Sequence, residues 1–221
     1  MSAASNVIPM TSMYQQYLDE GFRLCVITSG KGPTNMGWNL RENAVTDVHQ
    51  IPDGAGVGLL HAYSGTCALD VDNLEHAEML LACHGINLQE LLNAPDSVQI
   101  DSGNPGHRKL LYRLPAARSA LPSKRFNLVG VAFELRCATV DGLSVQDVLP
   151  SAICHPLTHR PYRWQGSWRS IPTLPESVLA LWDSVLQRDA VRTIKTGAPI
   201  DASWSEVMGA LESIDPDCGR E

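Results

Sequence analysis

Apolar residues recur along the chain at two spacings, one typical of helices and one typical of short strands. Helical spacing predicts helices within residues 13–22, 74–85, 87–94 and 175–187. Short apolar runs bounded by turn residues predict strands at 22–28, 56–62, 67–72, 97–101, 108–114, 128–136 and 145–151. This mixture of strands and helices predicts an α+β domain that covers residues 1–190.

The end of the chain is predicted to be organised differently. Residues 191–202 include Gly197 and Pro199 and predict a linker. Ser203 and Glu206 then have the spacing of a capping box, which marks the start of a helix. We therefore expect residues 203–221 to form a C-terminal helical stub.

One predicted strand contains two aspartates, Asp70 and Asp72, in the sequence CALDVDN. Side chains two residues apart on a strand share a face, so these carboxylates should lie side by side and repel each other. A divalent cation removes that repulsion, and oxygen-rich sites favour Mg²⁺ or Mn²⁺. The alternative is a pair of solvent-facing or turn-capping acids at the end of a strand.

A third carboxylate, Glu134, lies in the middle of the apolar run VAFELRC. Burying an unpaired carboxylate is costly, so Glu134 needs a partner. Arg136 falls on the same strand face and could form a simple salt bridge with it. Taken with Asp70 and Asp72, however, Glu134 favours a site of three carboxylates on adjacent strands, suited to two-metal phosphoryl or nucleotidyl transfer.

The segment DSGNPGHRKLLYRLP contains a polar turn suited to phosphate binding. Gly103 and Gly106 allow the backbone to approach an anion closely. The side chains that offer hydrogen-bond donors to phosphate oxygens are Ser102, His107, Arg108 and Lys109. The alternative is a tight turn between strands with an exposed histidine.

Polar and aromatic residues are concentrated in residues 149–164, LPSAICHPLTHRPYRW. Hydroxyl groups and histidines here could contact a sugar or a base, and an aromatic ring could stack on a nucleobase. Tyr162 and Trp164 also alternate as residues on one strand face do, so core packing is the default interpretation of these two.

Composition describes an ordinary globular protein, 44% hydrophobic and 19% charged, with a net charge of −7 that argues against binding nucleic acid by bulk charge. Basic character is nevertheless local, because residues 102–133 contain no acid and six bases. The six cysteines show no zinc-binding spacing. With no apolar run long enough for a membrane span and no signal peptide, we expect a cytoplasmic protein.

These motifs, in this order, resemble the N-terminal primase/polymerase domain of the archaeo-eukaryotic primase superfamily, found in plasmid, phage and integrated-element replication proteins. The resemblance covers about residues 14–164. Its motifs are GFRLCVITSGKGPTNMGW, GVGLLHAYSGTCALDVDN, SGNPGHRKLLYRLP, FELRC and QDVLPSAICHPLTHRPYRW. In the last motif, Leu149 and His159 replace a proline and a glycine of the common pattern.

The resemblance implies an RRM-like catalytic sheet beside a smaller αβ module. It implies that Asp70, Asp72 and Glu134 bind two Mg²⁺ or Mn²⁺ ions and that His107 contacts the incoming triphosphate. The other nucleotide-binding residues we predict are Ser102, Arg108, Lys109, Arg136, Ser151 and His155.

The expected function is template-dependent DNA primase and polymerase activity on single-stranded DNA, with NTPs or dNTPs as substrates. The tail resembles the opening of a primase C-terminal helical domain, which implies a fragment of a longer phage or mobile-element protein with a helicase domain. A non-catalytic nucleic-acid or origin-binding module is the alternative. A metal-dependent nuclease would use similar carboxylates, but the triphosphate motif around His107 argues against it.

Overall fold

The computed structural model describes residues 10–196 except residues 29, 34 and 119. The helices are α1 (Met10–Asp19), α2 (His61–Ser64), α3 (Leu74–Ala82), α4 (Leu88–Leu92) and α5 (Glu176–Thr196). The strands are β1 (Leu24–Ile27), β2 (Gly56–Leu60), β3 (Thr66–Val71), β4 (Gln99–Asp101), β5 (Arg108–Arg113), β6 (Lys124–Leu128), β7 (Gly130–Arg136), β8 (Gln146–Val148) and β9 (Arg163–Gln165). None of the helices described is long and apolar enough to cross a bilayer.

The strands form two antiparallel sheets. The larger sheet has the order β6-β7-β3-β5-β4-β9, and the smaller has the order β1-β2-β8. Helices and antiparallel strands together confirm the predicted α+β class. The RRM-like arrangement stays a prediction.

Strand β3 lies inside the larger sheet, paired with β5 on one side and β7 on the other. Leu69 and Val71 are fully buried, whereas Asp70 between them keeps partial exposure. The strand ends where Asn73 begins α3, because the Asn73 side chain accepts a hydrogen bond from the backbone N–H of His76 at 3.0 Å. Asp72 therefore lies in the short connection between β3 and α3.

An aromatic cluster anchors α1 to the segment that follows β9. The Tyr17 ring lies edge-on to Trp168, with centroids 4.8 Å apart. Its hydroxyl donates to the Pro150 carbonyl at 3.0 Å and accepts from Trp164 Nε1 at 2.8 Å. These contacts agree with the packing interpretation of Trp164.

Several predicted elements differ from the structure in their bounds: the first helix is observed at Met10–Asp19, and the strands predicted at 56–62 and 145–151 are shorter, at Gly56–Leu60 and Gln146–Val148. The strand predicted at 128–136 was wrong in its first two residues, because Leu128 ends β6 and Val129 connects β6 to β7 in a hairpin. Val129 is 80% exposed, and Gly130, which has a positive φ of 80°, is the first residue of β7. Helix α5 extends past residue 187 to Thr196. The rest of the predicted linker and the whole predicted stub, residues 197–221, lie outside the described residues.

Candidate active site

A cavity of about 220 Å³ lies where β3 and β5 of the larger sheet meet β8 of the smaller one. Its lining is Lys31, Asp70, Asp72, Ile100, Ser102, His107, Arg108, Lys109, Arg136, Gln146, Asp147, Val148, His155 and Tyr162. The structure therefore brings the predicted site residues together in one place, except Glu134 and Ser151.

The strand registers align three of the predicted residues in a row. Asp70 on β3 is directly opposite Lys109 on β5 and directly opposite Glu134 on β7. Residues opposite each other in an antiparallel sheet point to the same face. Lys109 Nζ accordingly lies 3.1 Å from Asp70 Oδ2.

Glu134 is held by two arginines. Arg136 Nη1 donates to Glu134 Oε2 at 2.6 Å, and Arg125 Nη2 donates to Glu134 Oε1 at 3.2 Å. The salt bridge considered for Glu134 and Arg136 in the sequence is thus present in the structure. A role for Glu134 in metal binding stays a prediction.

Asp72 and His107 form what we call the exposed edge of the cavity. His107 Nδ1 lies 3.5 Å from Asp72 Oδ1, and each side chain is 37% exposed. His107 ends a turn in which Gly103 and Gly106 have φ values of 69° and 80°, a conformation that favours glycine. The polar turn predicted between the strands is therefore confirmed, and it faces the end of β3.

The inner end of the cavity is a group of polar side chains that we call the junction cluster: the buried His61 and Asp147 and the partly buried Lys109 and Arg136. Asp147 on β8 accepts hydrogen bonds from Lys109 Nζ at 2.5 Å and Arg136 Nε at 3.0 Å. Its other oxygen, Oδ2, lies 2.9 Å from His61 Nε2, and His61 Nδ1 lies 3.0 Å from Thr66 Oγ1. The cluster therefore connects the two sheets through side chains.

Burial and neighbouring charges fix the protonation states in this region. Burial acts to raise the pKa of Asp147, but Arg136 and Lys109 outweigh it and hold that pKa well below its usual range. Burial lowers the pKa of His61 and keeps its ring neutral. Burial raises the pKa of Asp70, with Lys109 opposing the rise. The cluster therefore combines a firmly ionised carboxylate, two cations and a neutral histidine.

Sequence reasoning missed His61 and Asp147. Asp147 interrupts an apolar run in VQDVLPS, which is the same signal that identified Glu134. His61 is fully buried and Asp147 is 2% exposed, so neither behaves as a surface residue. An acid inside a predicted strand could have singled out Asp147, but nothing in the sequence links it to His61.

His155 and Tyr162, from the segment before β9, form another wall of the cavity. His155 Nδ1 accepts hydrogen bonds from the backbone N–H groups of Leu157 and Thr158 at 3.3 and 3.2 Å. Its proton is therefore on Nε2, which is available to donate to a ligand. Ser151 lies behind this wall, against Gly56.

Two further features of this wall concern its backbone and a hydroxyl group. His159, which replaces a glycine of the common pattern, has a φ of 53°, in the left-handed region that glycine favours. The hydroxyl of Tyr162 is buried and has no hydrogen-bond partner among the described residues. The Tyr162 ring packs edge-on against His155, with centroids 5.8 Å apart.

The loop that carries Lys31 reaches the cavity from the smaller sheet. Gln146 Nε2 donates to the Lys31 carbonyl oxygen at 2.8 Å and so ties the loop to β8. Lys31 was not among the predicted site residues, although the resemblance included its loop. It adds a fourth lysine or arginine side chain to Arg108, Lys109 and Arg136 in the cavity lining.

The predicted acids carry the oxygen donors that a divalent cation prefers, but their side chains are not arranged around a common metal position. Within the described part of the chain, no three His, Cys, Asp or Glu side chains are grouped so as to hold a metal ion. Lys109 and Arg136 occupy oxygens of Asp70 and Glu134 instead. Asp70 and Asp72 nevertheless present hard oxygen donors to the cavity.

The sequence matches the model of a known protein family over most of its length. The family model described as "Bifunctional DNA primase/polymerase, N-terminal" matches residues 14–177, well over half of the chain. The match includes the cavity residues from Lys31 to Tyr162. No curated protein matches the sequence.

Proposed function

Because the chain belongs to the bifunctional DNA primase/polymerase N-terminal family, we propose that its cavity binds a nucleoside triphosphate and transfers the nucleotide to a DNA-templated strand. The family's activity is DNA primase/polymerase nucleotidyl transfer. One observation carries the assignment to this cavity: Asp70 and Asp72 face the polar turn of residues 102–107 across it. Acids for metal binding and donors for phosphate binding are thus adjacent.

On the phosphate side, the chain supplies several donors around one turn. Arg108, His107 and Ser102 line the cavity and offer hydrogen bonds to the triphosphate. Lys109 is 19% exposed and lies directly opposite Asp70. We propose that His107 and Arg108 bind the outer phosphates, because the exposed edge is where a highly charged group remains partly hydrated.

On the metal side, Asp70, Asp72 and Glu134 would hold Mg²⁺ or Mn²⁺. Enzymes of this family generally use divalent metals. Two such ions, when bound, would stabilise charge on the attacking and leaving oxygens of the transfer. The chain's own contribution is to orient the carboxylates: Asp70 by the pairing of β3 with two neighbours, and Glu134 by its two arginines.

The proposed partners are a single-stranded DNA template and NTPs or dNTPs. We also propose that the chain is part of a longer cytoplasmic replication protein of a phage or mobile element, with a helicase domain after the predicted helical stub. Arg125 is 58% exposed beside Glu134, which places a positive charge next to the proposed metal site for a DNA strand.

A second candidate function has one observation in its favour. Glu134 and Asp70 are already neutralised by Arg136 and Lys109, as expected if the fold binds nucleic acid without catalysis. Such a module would bind DNA in the absence of divalent metal and would incorporate no nucleotide.

A primer-extension assay with Mn²⁺ and labelled nucleotides tests the proposal. The 221-residue chain should extend a primer on a single-stranded template, and Asp70→Asn and Glu134→Gln should each reduce incorporation by at least about a hundredfold. Asp141→Asn, an exposed acid away from the cavity, is the matched control and should match the wild type. Full incorporation by Asp70→Asn would refute the assignment, and metal-independent DNA binding without incorporation would favour the binding module.

A further inference from the structure

Asp147 differs from the three predicted metal-binding acids in its origin and its burial. It comes from β8 of the smaller sheet, whereas Asp70, Asp72 and Glu134 belong to β3, its C-terminal end and β7. It is 2% exposed, and three side chains direct polar hydrogens or ring nitrogens at its carboxylate. The proposed reaction uses no group at this position.

Both cations of the junction cluster lie closer to Asp147 than to Asp70. Lys109 Nζ is 2.5 Å from Asp147 Oδ1 and 3.1 Å from Asp70 Oδ2. Arg136 Nε is 3.0 Å from Asp147 Oδ1 and 3.8 Å from Asp70 Oδ2. Both cations therefore favour Asp147 over Asp70, while a second nitrogen of Arg136, Nη1, stays 2.6 Å from Glu134 Oε2.

The Asp147 carboxylate is held in position by His61, on the oxygen that the two cations do not contact. His61 Nε2 engages Oδ2, while both cations engage Oδ1. His61 is itself fully buried and contacts Thr66 Oγ1. These contacts keep the Asp147 carboxylate in place, so it holds the two cations at its own position.

A charge count shows what Asp147 contributes. Without it, Asp70, Asp72 and Glu134 would face Lys109 and Arg136, which leaves an excess of one negative charge. With Asp147, four carboxylates face the two cations, and the excess of two negative charges matches the charge of one divalent ion. Arg125 adds little to this count, because it is mostly exposed and screened by solvent.

We propose that Asp147 is a positioning residue that draws Lys109 and the Nε of Arg136 away from Asp70, so that Asp70 can accept a divalent cation. The inference rests on the proposed function, since it assumes that Asp70 binds metal. It predicts effects of opposite sign: loss of Asp147 weakens metal binding, and loss of Lys109 strengthens it.

Mn²⁺ binding to the 221-residue chain, measured by electron paramagnetic resonance at pH 8 without nucleotide, tests the inference directly. Asp147→Asn keeps the side-chain shape and removes one charge, and should weaken Mn²⁺ binding by about tenfold or more. Lys109→Met should tighten Mn²⁺ binding several-fold, and the double variant should return close to the wild type. Asp183→Asn removes an acid from a salt bridge elsewhere and should have no effect.

A second measurement distinguishes a positioning role of Asp147 from a general disruption of the active site by the substitution. In primer extension, activity of Asp147→Asn should recover towards the wild-type kcat as Mn²⁺ is raised, because the catalytic acids are intact. Where Asp147→Asn fails to fold, as judged by thermal melting, Lys109→Met alone decides the matter, since tighter Mn²⁺ binding is the opposite of what disruption produces.

Several results would overturn the inference. One is a folded Asp147→Asn variant with wild-type Mn²⁺ affinity, and another is a Lys109→Met variant with unchanged or weaker affinity. A wild-type chain that binds no Mn²⁺ at all would overturn the inference together with the proposed metal site. That outcome is distinguishable, because it is seen before any variant is compared.

Discussion

The junction cluster and the exposed edge, which form the inner and outer ends of the same cavity, are built in opposite ways. In the junction cluster, Asp147 has three polar partners and almost no exposure. At the exposed edge, Asp72 and His107 share one contact of 3.5 Å and are each 37% exposed. A fixed inner end suits an electrostatic arrangement that must persist, whereas a hydrated outer end suits groups that must adapt to a substrate.

The sharpest way to break this comparison is to remove one acid from each end. Asp147→Ala removes the buried carboxylate that Lys109, Arg136 and His61 share, and should lower the free energy of unfolding by about 3–5 kcal/mol. Asp72→Ala removes a solvent-exposed group and should lower it by less than about 1 kcal/mol. Urea unfolding of both variants, with similar m-values, measures the difference. Equal losses at the two positions would show that the junction cluster has no special structural role.

The pH dependence of the free energy of unfolding tests one residue of the junction cluster, His61. Because burial lowers the pKa of His61, the unfolded chain takes up a proton below about pH 6.5 that the native chain does not. This residue's contribution to stability is therefore lost as the pH falls from 7 towards 5. Asp147, whose pKa is lowered, and Lys109, whose pKa is raised, do not titrate in this window.

Urea unfolding at pH 5, 6 and 7 should therefore show a slope approaching about 1.4 kcal/mol per pH unit from His61. His61→Gln retains a donor for Asp147 and has no group that titrates there, so its slope should be smaller by that amount. An identical slope in the wild type and His61→Gln would mean that the buried ring is not neutral in the native protein.

The sequence was sufficient for some of this site and insufficient for the rest. Asp70 and Glu134 could be found because an acid inside an apolar strand is unusual, and Arg136 because it lies two residues from Glu134 on the same face. Their direct opposition across β3 and β7 depends on a register that alternation alone does not fix. The contact between His61 and Asp147 could not be predicted from the sequence, because these residues are 86 positions apart and meet through the pairing of β2 with β8.

The hairpin of β6 and β7 illustrates the same limit on the fold. Leu128 and Val129 continue the apolar run of β7 in sequence, so the pattern extended that strand towards them. Their exposure at the turn shows that apolar character does not by itself imply burial. Gly130, with its positive φ, is the residue whose conformation decides where the strand begins.

The smallest expected effect comes from Tyr162, a buried polar group at the cavity wall that lacks the partners of the junction cluster. Its hydroxyl has no hydrogen-bond partner among the described residues, so Tyr162→Phe removes a desolvated group at no cost in hydrogen bonds. The free energy of unfolding should stay equal or rise by up to about 1 kcal/mol.

Tyr17→Phe is the matched control for Tyr162→Phe, because the Tyr17 hydroxyl donates to the Pro150 carbonyl and accepts from Trp164. This change leaves two buried groups unpaired and should lower the free energy of unfolding by about 1–3 kcal/mol. Urea unfolding of the two variants therefore asks whether satisfied hydrogen bonds, and not burial alone, stabilise polar groups in this protein. A loss at Tyr162 as large as that at Tyr17 would show that burial of the ring, and not the pairing of its hydroxyl, controls the effect.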